Sequence, residues 1–197
     1  MTTLYIVRHA QAEANLLRLF HGHIDGTLTH YGKECLIPLS NRFQNEKIDV
    51  VYASDLTRAR LTAAAIAKTH SLPVFTTPKL REIFAGKWEG MKYSDCKEIF
   101  KEQFALFEAA DFDCHPEEGE SIRETAHRMK AIIDDIISHH KNETVVIVSH
   151  GCAIRSYLTL VCDCKELGKN TAVTKLQFDE EGNITPIFLW DLSHLDK

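Results

Sequence analysis

Two short runs of the chain share one pattern. LYIVRHA, residues 4–10, and VVIVSHG, residues 145–151, are each unbroken apolar stretches that end in a histidine. Runs of this length without polar alternation predict strands buried on both faces. The first is placed at 3–7 and the later one at VVIVS. DVVYAS, 49–54, and LPVFTT, 72–77, predict two further strands, and two late ones are expected at about 173–179 and 184–190, around the turn EEGN. Between them the apolar positions change period. Residues 29–45 predict a helix N-capped by Thr29 and interrupted by Pro38. The alanine-rich stretch LTRARLTAAAIAKT predicts a helix over 56–69, with Asp55 as its cap. A long helix is expected over roughly 120–140, where Ile122, Ala126, Met129, Ile132, Ile133 and Ile136 recur at helical spacing. Residues 93–109 read as irregular helix, 151–163 as helix, and 78–93 as loop.

Strands alternate with helices through most of the chain. The expected fold is therefore α/β: a single-domain three-layer sandwich, with a mostly parallel sheet and helices on both faces. In such sheets ligands bind beyond the carboxyl ends of the strands. His9 and His150 both fall there.

Composition narrows the classes. The chain has 197 residues, 44% of them apolar, enough for one domain with a sizeable core. Its formal net charge of −5 argues against a nucleic-acid or anionic-membrane partner. No apolar run approaches the roughly 18 residues of a bilayer span. No basic segment precedes the first strand, so a secretory signal is not expected and the cytoplasm is the expected location. Six cysteines in such a chain are expected as free thiols, and the Cys162/Cys164 pair lacks a second pair at zinc-binding spacing, so no metal is expected.

Four segments carry candidate chemistry. Arg8 and His9 end the first strand. Ser149, His150 and Gly151 end a later one, where a helix N-terminus offers unpaired N–H groups to an anion. Arg58 sits in the first turn of its helix, where a cation opposes the helix dipole unless both face a shared anion. Arg60 lies on a different face. Glu82 lies in the glycine-punctuated stretch LREIFAGKWEG. Singly, each has a plain alternative: a polar strand end, a solvated arginine, a solvated loop glutamate.

Together, and in order, they resemble the histidine phosphatase superfamily. The matching pieces are RHAQAEAN at 8–15, GHIDGTLTHYG at 22–32, YASDLTRARLTA at 52–63, LREIFAGKWEG at 80–90, GES at 119–121 and VIVSHGCAIR at 146–155. The resemblance covers about 150 residues and implies a phosphoglycerate mutase-like fold. It implies that His9 is the nucleophile taking the phosphoryl group, that Arg8 and Arg58 clamp phosphate, that His150 is the second histidine of the pocket, and that Glu82 donates the proton. Asn15, His21, Gly22 and Gly151 are the implied substrate-binding positions. A phosphoryl group in transfer carries spread negative charge, which Arg8, Arg58 and a protonated His150 would offset without a metal or other cofactor. A neutral His9 would attack phosphorus, with its second ring nitrogen fixed by a backbone carbonyl.

The chain departs from the family in places. Ala10, Gln11 and Ala12 stand where Gly-Glu-Thr is frequent, which removes a hydroxyl from that turn. His21 stands where many relatives carry glutamine. Glycine, not the aspartate of the acid-phosphatase branch, follows His150, in keeping with Glu82 as proton donor. Residues 88–120 are expected to form a small helical cap over the site, with Trp88, Tyr93, Phe100, Phe104, Phe107 and Phe112 either packed on the core or gripping substrate. Mutases of the family hold a second anionic group with an arginine pair in a longer insert, and no arginine lies between Arg81 and Arg123. The expected activity is therefore metal-independent hydrolysis of a small phosphorylated metabolite. The alternatives are a phosphoglycerate mutase-type phosphomutase and a non-catalytic phosphate-ligand binding protein on the same fold.

Overall fold

The continuous apolar runs become the centre of one sheet. In the computed structural model, which describes residues 1–195, β1 (Thr2–Arg8) lies hydrogen-bonded between two other strands. The chain then passes through α1 (Glu13–Leu17), α2 (His30–Glu34) and α3 (Leu36–Phe43) to β2 (Val50–Ser54), α4 (Thr57–Thr69) and β3 (Val74–Thr77). Two single 3₁₀ turns, Pro78–Leu80 and Gly86–Trp88, lead to α5 (Tyr93–Ile99) and α6 (Lys101–Glu108). After α7 (Ile122–His139) come β4 (Thr144–Ser149), α8 (Gly151–Cys162) and the pair β5 (Val173–Phe178) and β6 (Ile184–Asp191). The strand order is β3-β2-β4-β1-β5-β6; the first four are parallel, and β5 and β6 run antiparallel at one edge.

The period of two along each central strand sorts its side chains into two cores. Leu4, Ile6, Val145 and Ile147 face Met129 and Ile133 of α7 and Ile154 and Leu158 of α8. Tyr5, Val7, Val146 and Val148 face Leu39 and Phe43 of α3 and Ala59, Ala63 and Ile66 of α4. This is the expected three-layer sandwich. A third cluster, built on Phe20, Ile83, Trp88, Phe104 and Phe107, lies beside the site. The aromatics of the 88–120 stretch mostly pack on one another, as in the 5.7 Å contact between Trp88 and Phe107.

Two local expectations are corrected. The 29–45 helix does break, but at Cys35, not Pro38: Pro38 sits in the first turn of α3, where an absent N–H leaves no intrahelical bond unmade. Thr29 does cap α2, accepting from the Gly32 N–H. Asp55 does not cap α4. Its carboxylate accepts from Arg81 Nε and Nη2 at 2.7 and 2.6 Å. The first turn of α4 is served instead by Asp25, which accepts from the Thr57 N–H at 2.8 Å and its hydroxyl at 2.7 Å. Opposite charge at a helix N-terminus explains the contact, but its partner lies 32 positions away in sequence. No helix among the described residues is long and apolar enough to cross a membrane.

Candidate active site

The register of the two central strands sets the site. β1 and β4 pair in parallel with Arg8 opposite Ser149, so the next residue of each, His9 and His150, emerge side by side at the carboxyl end of the sheet. Their rings lie 5.0 Å apart, centre to centre, at 60°. Both are buried.

His9 is held in one tautomer. Its Nδ1–H donates to the Ala10 carbonyl at 2.7 Å, which leaves the lone pair on Nε2. The Ala10 N–H in turn donates to the hydroxyl of Thr62, which donates to the Arg58 carbonyl one turn back on α4. Burial, then the charges of Arg58 and Arg8, holds the His9 imidazole well below its usual pKa. It is a neutral base at physiological pH.

Arg58 is almost wholly buried, with 1% of its surface exposed. Its guanidinium donates from Nη2 to the Gly22 carbonyl at 2.9 Å, from Nη1 to the Ile24 carbonyl at 2.8 Å and from Nε to His150 Nδ1 at 3.2 Å. The last bond corrects one expectation. A ring nitrogen that accepts from a guanidinium carries no proton, so His150 is a neutral imidazole here, with its hydrogen on Nε2. Burial and the nearby Arg58 also hold its pKa well below the usual value. His150 therefore offers an N–H donor rather than a positive charge; its buried Nε2 has no partner among the described residues. Desolvation outweighs the acidic neighbours of Arg58 and lowers its pKa to about 10, which leaves it charged at neutral pH.

Arg8 lies over the start of α8. A Cβ at Gly151 would stand 2.9 Å from Arg8 Cζ, so glycine there makes room for the guanidinium. Arg8 Nη1 donates to the Gly168 carbonyl, and its buried Nε has no partner. Glu82 faces the same helix end. Its carboxylate accepts from the N–H groups of Ala153 and Cys152 at 2.7 and 3.1 Å, and from its own neighbour Ile83 at 2.9 Å. The expected anion site at this helix N-terminus thus holds the protein's own carboxylate.

The remaining expected residues converge. Arg8, His9, Asn15, His21, Gly22, Arg58, Glu82 and Gly151 line one pocket; His150 is not in that lining but packs its ring against that of His9. Asn15 Oδ1 accepts from the Ala12 N–H at 2.9 Å. His21 loses its charge through burial and the Arg58 guanidinium, which bring its pKa to about 4. Gly22 (φ +50°) tucks its backbone against Glu89, whose Oε1 would lie 1.9 Å from a Cβ there. Asn170 carried no signal in the sequence. Its amide donates to the His9 carbonyl at 3.0 Å and to Asn15 Oδ1 at 3.2 Å, tying the loop after α8 to the site. Thr62 could have been found, being four residues after Arg58 on the same helix face.

One pocket thus gathers a neutral imidazole, two guanidinium cations and a carboxylate, with the His150 ring against that of His9. The chain matches the model of the histidine phosphatase superfamily (branch 1) over residues 4–186 and belongs to that family. It is 33% identical over 156 residues to phosphoserine phosphatase 1 of Hydrogenobacter thermophilus, covering 79% of this chain and 74% of that protein. It is 31% identical to a metal-independent phosphoserine phosphatase of Arabidopsis thaliana, over 99% of this chain and 84% of the relative. A probable phosphoglycerate mutase of Erwinia tasmaniensis is 35% identical over 78% of this chain and 72% of its own. Among solved structures, a mutant phosphoserine phosphatase of Entamoeba histolytica in complex with phosphoserine superposes with a TM-score of 0.87, at 26% identity, over 99% of this chain and 100% of that one.

Proposed function

We propose that this protein is a metal-independent phosphatase that hydrolyses a small phosphomonoester through a phosphohistidine on His9. The observation that carries the reading is the His9–Ala10 hydrogen bond, which leaves Nε2 unprotonated beside Arg8 and Arg58. In the first step Nε2 bonds to phosphorus as the ester P–O bond breaks, and Glu82 gives a proton to the leaving oxygen. In the second, Glu82 takes a proton from water, the water oxygen bonds to phosphorus, and the N–P bond breaks. Arg8, Arg58 and the His150 Nε2–H stabilise the charge on the non-bridging oxygens. Asn15, His21, Gly22 and Gly151 shape the pocket around them, and residues 88–120 act as its cap.

The names of the relatives make phosphoserine the first substrate to test. The partner is a small phosphorylated metabolite, not nucleic acid or membrane, and the enzyme works in the cytoplasm. The test is hydrolysis of p-nitrophenyl phosphate in EDTA by the native protein and by His9→Ala. Native turnover that vanishes in the variant supports the reading; activity that survives the substitution ends it. The mutase relative supports a second reading, phosphomutase. It predicts stimulation by a bisphosphate and isomerisation of 3-phosphoglycerate, and failure of both removes it.

A further inference from the structure

The pocket continues into a second cleft. Arg8, Asn15, Tyr93 and Leu167 border both. Beyond that shared rim the cleft is lined by three further cations, Arg18, Lys92 and Lys97, against one acid, Glu108. Lys97 and Glu108 neutralise each other at 3.4 Å, and Lys97 also lies over the Phe104 ring. Among the described residues, Arg18 and Lys92 make no ion pair and no side-chain hydrogen bond. In a chain of net charge −5, two uncompensated cations at one cleft are against the average.

Their positions are fixed by backbone. Leu19 pairs with Lys92 in an antiparallel bridge, and the Tyr93 N–H donates to the Arg18 carbonyl at 2.9 Å. On the same clip the Phe20 N–H donates to the Met91 carbonyl at 2.9 Å, and the Gly90 N–H to the Phe20 carbonyl at 2.8 Å. Phe20 is itself packed among Trp88, Tyr93 and Phe107. The two cations thus stand on a short braced ladder, at the exit of a pocket whose inner end binds phosphate in the reading above.

We propose that Arg18 and Lys92 form a subsite for a second anionic group on the leaving portion of the substrate, a carboxylate or a further phosphate. The proposal rests on the phosphatase reading for its inner end. Arg8, on the shared rim, would face both anions.

Steady-state kinetics of the full chain tests it, comparing native protein, Arg18→Ala/Lys92→Ala and the charge-keeping Arg18→Lys/Lys92→Arg. The substrates are O-phosphoserine, 3-phosphoglycerate, fructose 1,6-bisphosphate, phosphoethanolamine and p-nitrophenyl phosphate. The alanine pair is expected to lower kcat/KM by ~10–100-fold on substrates with a second anion, mainly through KM, since bonds to charged groups have that strength. On phosphoethanolamine and p-nitrophenyl phosphate it stays near native, and the charge-keeping pair restores the loss. Whether the carboxylate or the bisphosphate arm loses more names the anion. An equal loss on every substrate, or none on those carrying a second anionic group, overturns the proposal. Calorimetric binding of 3-phosphoglycerate to His9→Ala, with and without the alanine pair, reads the subsite without turnover: unchanged affinity also overturns it. Absent hydrolysis of all substrates by native protein would instead count against the phosphatase reading.

Discussion

The Nε–H of Arg58 donates to Nδ1 of His150, and this one bond decides what the second histidine of the pocket is. It makes His150 a neutral donor through Nε2 and frees the positive charge of the site to reside on the arginines. The same guanidinium holds the backbone of Gly22 and Ile24, so phosphate pocket and neighbouring loop share one anchor. Lysine keeps the charge but has a single ammonium and cannot reach all three acceptors. Arg58→Lys is expected to lower kcat/KM on p-nitrophenyl phosphate by ~10²-fold or more, as for loss of an oriented transition-state donor. A variant within a few-fold of native would show that charge alone suffices.

The histidines should resist protonation. His9, His150 and His21 all have folded-state pKa values below the ordinary value near 6.5. Below pH 6.5 the unfolded chain binds protons that these folded imidazoles refuse, so stability is full above that pH and falls as pH drops below it. For His21 the window runs from about 6.5 down to about 4. NMR titration should find His9 and His150 neutral at pH 6, and denaturant midpoints should fall between pH 7 and pH 5. Imidazoles titrating near 6.5 would contradict the burial argument.

Glu82 has two tasks that substitution can separate. In the proposed reaction it carries a proton; as acceptor for the Cys152 and Ala153 N–H groups it closes the start of α8. Glu82→Gln keeps one acceptor oxygen for the Ala153 and Ile83 N–H groups but turns an NH2 toward the Cys152 N–H and has no acid proton, so kcat should fall ~10²–10⁴-fold with a smaller loss of stability than alanine causes. Glu82→Ala should lose similar activity and about 1 kcal/mol of stability besides, the usual worth of a helix N-terminal acceptor. Chemical denaturation of both variants beside their kinetics makes the comparison.

Gly151→Ala tests the packing of Arg8. The added Cβ meets the guanidinium at 2.9–3.1 Å, and Arg8 must shift to relieve it. Alanine suits the first turn of α8 better than glycine, so stability should hold within about 1 kcal/mol. Activity on p-nitrophenyl phosphate should fall about 10-fold through the displaced clamp, since a small misplacement of a clamp costs rate. Native kinetics in that variant would mean Arg8 needs no such room.

Much of this was legible before the structure, for identifiable reasons. The sheet's centre was visible because β1 and β4 are buried on both faces and so carry unbroken apolar runs. His9 and His150 were visible because each directly follows such a strand, and Arg58 because a cation in the first turn of α4 opposes the helix dipole. What escaped was decided by contacts distant in sequence. Asp55 looked like a cap by proximity, yet Arg81 takes it and Asp25 serves the helix. The tautomer of His150 depends on Arg58, 92 positions away. Asn170 lies in a loop with no periodicity, and only the fold brings it to the His9 carbonyl.

In the proposed reaction His9 carries the phosphoryl group. Rapid quenching of the native enzyme with ³²P-labelled substrate should trap label that is acid-labile and base-stable, approaching one per chain. Peptide mapping should place it on His9, and His9→Ala should take up none. Label on another residue, or turnover by His9→Ala without label, would contradict the account.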